Sequence, residues 1–172
     1  PAVDIDIAVV VQRQIESLRS GVMFTADPAG GDRDLLVIEG SLGLGESVVS
    51  GQVTPDHFVT SKSRDEIVGR EVQAKELTIE YAEGGGTVTR KLRGAESTAP
   101  ALTDDEVLLI SGSGKRIAQH YDKPQDLELA VAQSARAEVL TPSGRDVARV
   151  EDRGHHLRVK FAGARLAEQR VS

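Results

Sequence analysis

Short apolar runs broken by glycine, proline and charged residues dominate this chain, and few stretches keep a helical period. Ile5 to Val11 is rich in β-branched residues, whose stiff χ1 torsions favour a buried central strand over a short helix. Gly21 to Thr25 predicts a second strand, ended by Ala26-Asp27-Pro28-Ala29-Gly30-Gly31, a cluster of turn formers. Leu35 to Glu39 then reads as the return strand of a hairpin. Ser41 to Gly51 is a glycine-rich loop leading into a short helix. From His57 to Val88 the apolar residues come in short alternating groups separated by charged or Gly-rich turns such as Glu83-Gly84-Gly85-Gly86, which predicts an antiparallel meander.

Thr103-Asp104-Asp105-Glu106 has the form of a capping box, so a helix is expected to follow. Val107, Ile110, Ile117 and Tyr121 can share one face of it. Ser111-Gly112-Ser113-Gly114 lies mid-way, and each Gly costs up to about 1 kcal/mol relative to Ala, so an interruption is expected there. Pro124 closes the helix, and Gln125 to Val131 alternates polar and apolar residues like a half-buried strand. After Val131 Arg and Ala become frequent and no period is sustained. Residues 132–172 are therefore set apart as an atypical tail, with irregular or disordered chain as the expectation, following a domain over residues 1–131. No internal repeat is visible. The fold class expected is α+β, an antiparallel β-sheet with few helices.

Composition narrows the function. The chain of 172 residues is 39% hydrophobic and 28% charged, which fits one globular domain, and at 3% aromatic its core must be aliphatic. A formal net charge of -6 argues against nucleic acid as the main partner, whereas one nucleotide needs only a local site. The absence of Cys excludes disulfides, thiolate metal sites and a cysteine nucleophile. The first apolar run is too short to span a bilayer and lacks the basic start of a secretory signal, so no membrane partner and a cytoplasmic location are expected. A chain that opens without Met, directly into a strand-like run, has the form of a piece of something longer.

Asp126 and Glu128 are the sharpest candidates, because positions i and i+2 of a strand project from one face. Two converging carboxylates suit a cation such as Mg²⁺, which keeps waters and recruits phosphates; a solvated strand face gives the same spacing. Ser41 to Gly45 could bring backbone amides close to a phosphate, and equally could be a plain turn; it matches neither the Walker A pattern nor the dinucleotide fingerprint. His57, His120, His155 and His156 show no metal-ligand spacing and read as surface residues. No catalytic base or nucleophile stands out.

In order, the stretches AVVVQ, SGVMFTADP, GLGESVVSGQVTPD, ALTDDEV and PQDLE closely resemble the second half of the nucleotide-binding domain of the pyruvate phosphate dikinase, phosphoenolpyruvate synthase and rifampicin phosphotransferase family, over roughly residues 7 to 130. The resemblance implies an ATP-grasp lobe with ATP and Mg²⁺ as ligands. By position it implies that Gln12 and Glu46 contact nucleotide, that Ser20 and Gly21 approach it with backbone, and that Asp126 and Glu128 hold Mg²⁺ against the phosphates. It further implies phosphoryl transfer from ATP to a histidine on a separate domain, and from there to pyruvate or a rifamycin. Such transfer demands cationic clamps as well as metal.

Several parts of the family pattern are missing. The preceding lobe, with its lysine, arginine and phosphate-covering glycine loop, is not in this chain, nor is the phosphohistidine domain, so the chain is not expected to turn over alone. Where the family has a Gln-x-Arg-Pro element, this chain has Leu140-Thr141-Pro142-Ser143. The segment after Val131 lacks resemblance to the family, and its abrupt onset is what a shifted reading frame would produce. The alternative class is a noncatalytic β-rich relic or interaction module of the same fold.

Overall fold

The computed structural model describes residues 17–132, 137–140, 146–150 and 156–160; the strand expected over residues 5–11, and Gln12, lie outside these. The first hairpin forms as its pattern predicts. β1 (Ser17–Phe24) and β2 (Leu35–Leu42) pair antiparallel, with Val22 opposite Glu39 and Ser20 opposite Ser41. Asp27 nucleates the connection: its carboxylate accepts from the amides of Ala29 and Gly30, each at 2.9 Å. β2 runs on through Leu42, and the glycine loop then leads into the one-turn helix α1 (Glu46–Val49).

β3 (Asp56–Ser61) and β4 (Glu66–Glu71) continue the sheet, but β5 (Leu77–Tyr81) and β6 (Thr87–Lys91) leave it as a separate two-stranded hairpin. The expected meander is therefore broken after β4. Two contacts account for the break. Leu44 donates its amide to the Ile79 carbonyl at 2.8 Å, drawing β5 to the glycine loop. In addition Lys75, with a fully buried side chain, is anchored to Asp56 at 2.6 Å. Asp56 also accepts from the amides of Gln73 and Ala101, so its buried charge is compensated on three sides.

After the short helix α2 (Ala95–Thr98), α3 (Asp104–Tyr121) starts at the expected capping box: Glu106 N–H donates to Thr103 Oγ1, and Thr103 N–H donates to Glu106 Oε2. The helix runs unbroken for 18 residues, against the expected interruption at Ser111–Gly114. Packing is the reason. A Cβ on Gly114 would lie 2.6 Å from Met23 Cε and 2.9 Å from Leu36 Cδ2, so the missing side chain lets the helix settle onto the sheet. Val107, Ile110 and Ile117 are fully buried, whereas Tyr121 at the helix end is 37% exposed and outside the core face. Asp122, in the left-handed conformation at φ 52°, ends the helix ahead of Pro124.

β7 (Asp126–Ala132) returns beside β1, so strands distant in sequence become neighbours. Where the tail offers no period, the structure has three further strands: β8 (Ala137–Leu140), β9 (Asp146–Val150) and β10 (His156–Lys160). The eight-stranded sheet has the order β4-β3-β2-β1-β7-β10-β8-β9, antiparallel except between β10 and β8. Met23, Leu36, Ile38, Phe58, Leu127 and Leu129 turn one sheet face towards α3 and form the core with its apolar stripe. The fold is α+β, a mostly antiparallel sheet with few helices, as the sequence predicts.

Candidate functional site

The core assigns the faces of β7. Leu127, Leu129 and Val131 are buried against α3, so Asp126, Glu128 and Ala130 project from the opposite face. Direct partners across a sheet share a face. Asp126 therefore stands beside Phe24, Glu128 beside Val22 and Ala130 beside Ser20. One strand further, Glu39 lies beyond Val22 and Ser41 beyond Ser20; His57 follows Glu39 on β3, its Nδ1 3.9 Å from a Glu39 oxygen.

The glycine loop rests on this same face. A Cβ built on Gly45 would lie 3.7 Å from Ser20 Cβ and 3.8 Å from its Oγ, so the residue that precedes Glu46 sits on top of Ser20. Glu46, exposed, opens α1 just beyond. The structure thus brings Ser20, the loop carrying Glu46, and the Asp126/Glu128 pair onto one side of one sheet. Gly21 occupies the sheet interior between Gly40 and Leu129, and a Cβ there would lie 2.0 Å from the Glu39 carbonyl oxygen, which is why only glycine fits. Gln12 lies outside the described residues. Glu39 was missed in the sequence, because what recruits it is hairpin register and not a motif, and Ser41, read as the start of the glycine loop, belongs to β2.

Among the described residues no three His, Asp or Glu groups lie close enough to hold a cation by themselves. A pair of carboxylates on one strand face still fits Mg²⁺, which commonly takes one or two carboxylates and completes its shell with water and phosphate oxygens. On β10, Lys160 is the register partner of Glu128 and Arg158 that of Ala130. A separate group, Arg33, Lys62, Lys115 and Lys123, lines a pocket of about 240 Å³. Two of its three lysine amines are already engaged. Lys62 Nζ donates to the carbonyls of Thr25 and Arg33, with burial pushing its pKa down, and Lys115 Nζ donates to the Lys62 carbonyl and to Asp65. α3 supplies Lys115, Ala118 and Gln119 of the lining, so the pocket lies on the helix side of the sheet, opposite the carboxylate face.

The mostly antiparallel sheet is thus covered on one side by a capped helix and carries a glycine loop and an acidic pair on the other. The sequence pattern of the pyruvate phosphate dikinase AMP/ATP-binding domain matches residues 1–140, and the chain belongs to that family. It is 39% identical over 124 residues to a rifampicin phosphotransferase of Streptomyces sp, an alignment that covers 72% of this chain and 14% of that protein. It is likewise 39% identical over 132 residues to the phosphoenolpyruvate synthase of Pyrococcus furiosus, covering 72% of this chain and 16% of that enzyme. A probable phosphoenolpyruvate synthase of Methanothermobacter thermautotrophicus is 36% identical over 171 residues, covering 96% of this chain and 25% of that protein. The chain thus spans a quarter or less of the length of these relatives. The last alignment also runs through most of the segment after Val131, so the likeness extends beyond the motifs into the tail.

Proposed function

We propose that this chain is the metal-bearing lobe of an ATP-grasp domain, and that in the whole protein it holds Mg²⁺·ATP while a phosphoryl group leaves for a histidine on another domain. The register that puts Asp126, Glu128, Ser20 and the Glu46 loop on one sheet face carries this reading. In it Asp126 and Glu128 hold the metal, which would neutralise charge on the phosphate oxygens. Glu46 and Gln12 contact the nucleotide, with Ser20 and Gly21 beneath it. Cationic clamps come from a preceding lobe, and the acceptor domain supplies the phosphohistidine. Relatives named phosphoenolpyruvate synthase and rifampicin phosphotransferase support pyruvate or a rifamycin as the final acceptor, and the reading includes action in the cytoplasm.

Thermal unfolding with ATP, with and without Mg²⁺, tests the reading. Ligand at 100 times its dissociation constant stabilises by about 2.7 kcal/mol, a rise in Tm of roughly 5–10 °C for a chain of this size. The metal-dependent part of that rise should vanish in Asp126→Asn/Glu128→Gln, since neutral amides leave the cation uncompensated. A double variant that responds to Mg²⁺·ATP like the parent would place the metal elsewhere, and a parent that never responds, even as part of a longer chain carrying the preceding lobe, would favour the noncatalytic relic.

A further inference from the structure

Ser20 and Ser41 are 3% and 0% exposed, yet among the described residues neither hydroxyl meets a hydrogen-bond partner. They are direct partners on β1 and β2, on the face that carries Glu128. Cβ atoms of such a pair lie about 4.5–5.5 Å apart, so both hydroxyls fall within reach of a single small molecule between them. The glycine loop closes over the pair, with Gly45 against the Ser20 side chain. Nearby Ser47, also fully buried, does satisfy its hydroxyl, on the Leu44 carbonyl at 3.1 Å. Local geometry therefore permits satisfaction within this segment, and the Ser20/Ser41 pair departs from it. Buried hydroxyls are almost always bonded, and alanine would fill either position without the desolvation cost.

We propose that one ordered water molecule bridges Ser20 Oγ and Ser41 Oγ and seats the glycine loop on the sheet. A buried water needs two or more polar partners, and this pair supplies two from adjacent strands. By fixing the loop on β1, the bridge sets the position of Glu46 relative to Asp126 and Glu128. That last step rests on the proposed nucleotide site; the water itself does not.

The test uses Ser20→Ala, Ser41→Ala and the double variant of the full chain, first without nucleotide. A shared water predicts that each single change lowers Tm by about 2–4 °C, and that the double variant falls no further than the worse single one, because either change removes the same bridge. A crystal structure of the parent should show the water between the two hydroxyls. Singles that raise Tm would mean that the hydroxyls are true orphans, and additive losses would mean that no ligand is shared; either result overturns the water. Mg²⁺·ATP affinity then tests the loop seat separately, with a several-fold loss expected in Ser41→Ala. Affinity equal to the parent's would break the link to Glu46 while leaving the water standing, and a parent that binds no nucleotide would sink the site and not the bridge.

Discussion

Asp56 and Lys75 lie fully buried against each other, and Asp56 collects two backbone amides as well. Ion pairs of this kind add little over a well-packed apolar pair, but removing one partner leaves a charge stranded in low dielectric. Lys75→Met should therefore cost about 3–5 kcal/mol, read as a lower urea midpoint. A loss below 1 kcal/mol would show that the backbone amides alone compensate the carboxylate. At the surface, Asp34 shows how hydroxyl donors act on a titrating group. Its carboxylate accepts first of all from Ser61 Oγ, with Ser63 adding a hydroxyl and an amide; together these outweigh the opposing effect of desolvation and hold its pKa below the usual aspartate range. A depressed pKa contributes stability above about pH 4 that is lost as pH falls through the folded value. Ser61→Ala should move the Asp34 titration, followed by NMR of its carboxyl carbon, back towards the ordinary range. No movement would assign the shift to Ser63 instead.

At the scale of elements, α3 separates what propensity says from what packing decides. Two glycines in mid-helix predict a break, and a helix considered alone would pay that cost. Docked on the sheet, Gly114 is the residue that permits contact with Met23 and Leu36, while at Gly112 the nearest neighbour of an added Cβ is Arg116 Nη1 at 4.0 Å. The two positions should therefore respond with opposite sign: Gly112→Ala should stabilise by about 0.5–1 kcal/mol, and Gly114→Ala should destabilise by about 1–2 kcal/mol. Equal responses in thermal melts would mean that Met23 and Leu36 yield freely. The capping box, the first hairpin and β7 were legible because their signals are local: a hydroxyl and carboxylate at fixed offset, turn formers between apolar runs, strict alternation. The departure of β5 was not, since it depends on Lys75 finding Asp56 and on Leu44 finding Ile79, contacts that no short window contains.

For the molecule as a whole, the boundary drawn after Val131 cuts across a shared sheet. β10 pairs with β7 over His156 to Lys160, so the strand that carries Asp126 and Glu128 has a backbone partner on each side. A chain ending at Ala132 should keep the β1–β7 ladder and lose the other. Hydrogen exchange is expected to quicken at those β7 amides that point to β10 and to stay slow at those that point to β1; uniform protection would show that β10 adds nothing. The candidate site was legible as a set of residue types, because D-x-E on an alternating strand announces a shared face. Its grouping with Ser20 and the Glu46 loop became visible only through register, and Glu39 left no signal short of it.

Thr25 and Gln125, which tie β1 to β7 as the Thr25 amide donates to the Gln125 carbonyl and the Gln125 amide to Thr25 Oγ1, are 100 residues apart in the chain, and that distance shapes how the protein comes into being. Loop closure on this scale is entropically costly and comes late, so the carboxylates meet the glycine loop only when the last long-range ladder zips. During synthesis the ribosome would have to release β7 before Asp126 and Glu128 could stand beside Phe24 and Val22. A nascent or half-folded copy therefore lacks that shared face, which arrives only with the completed sheet.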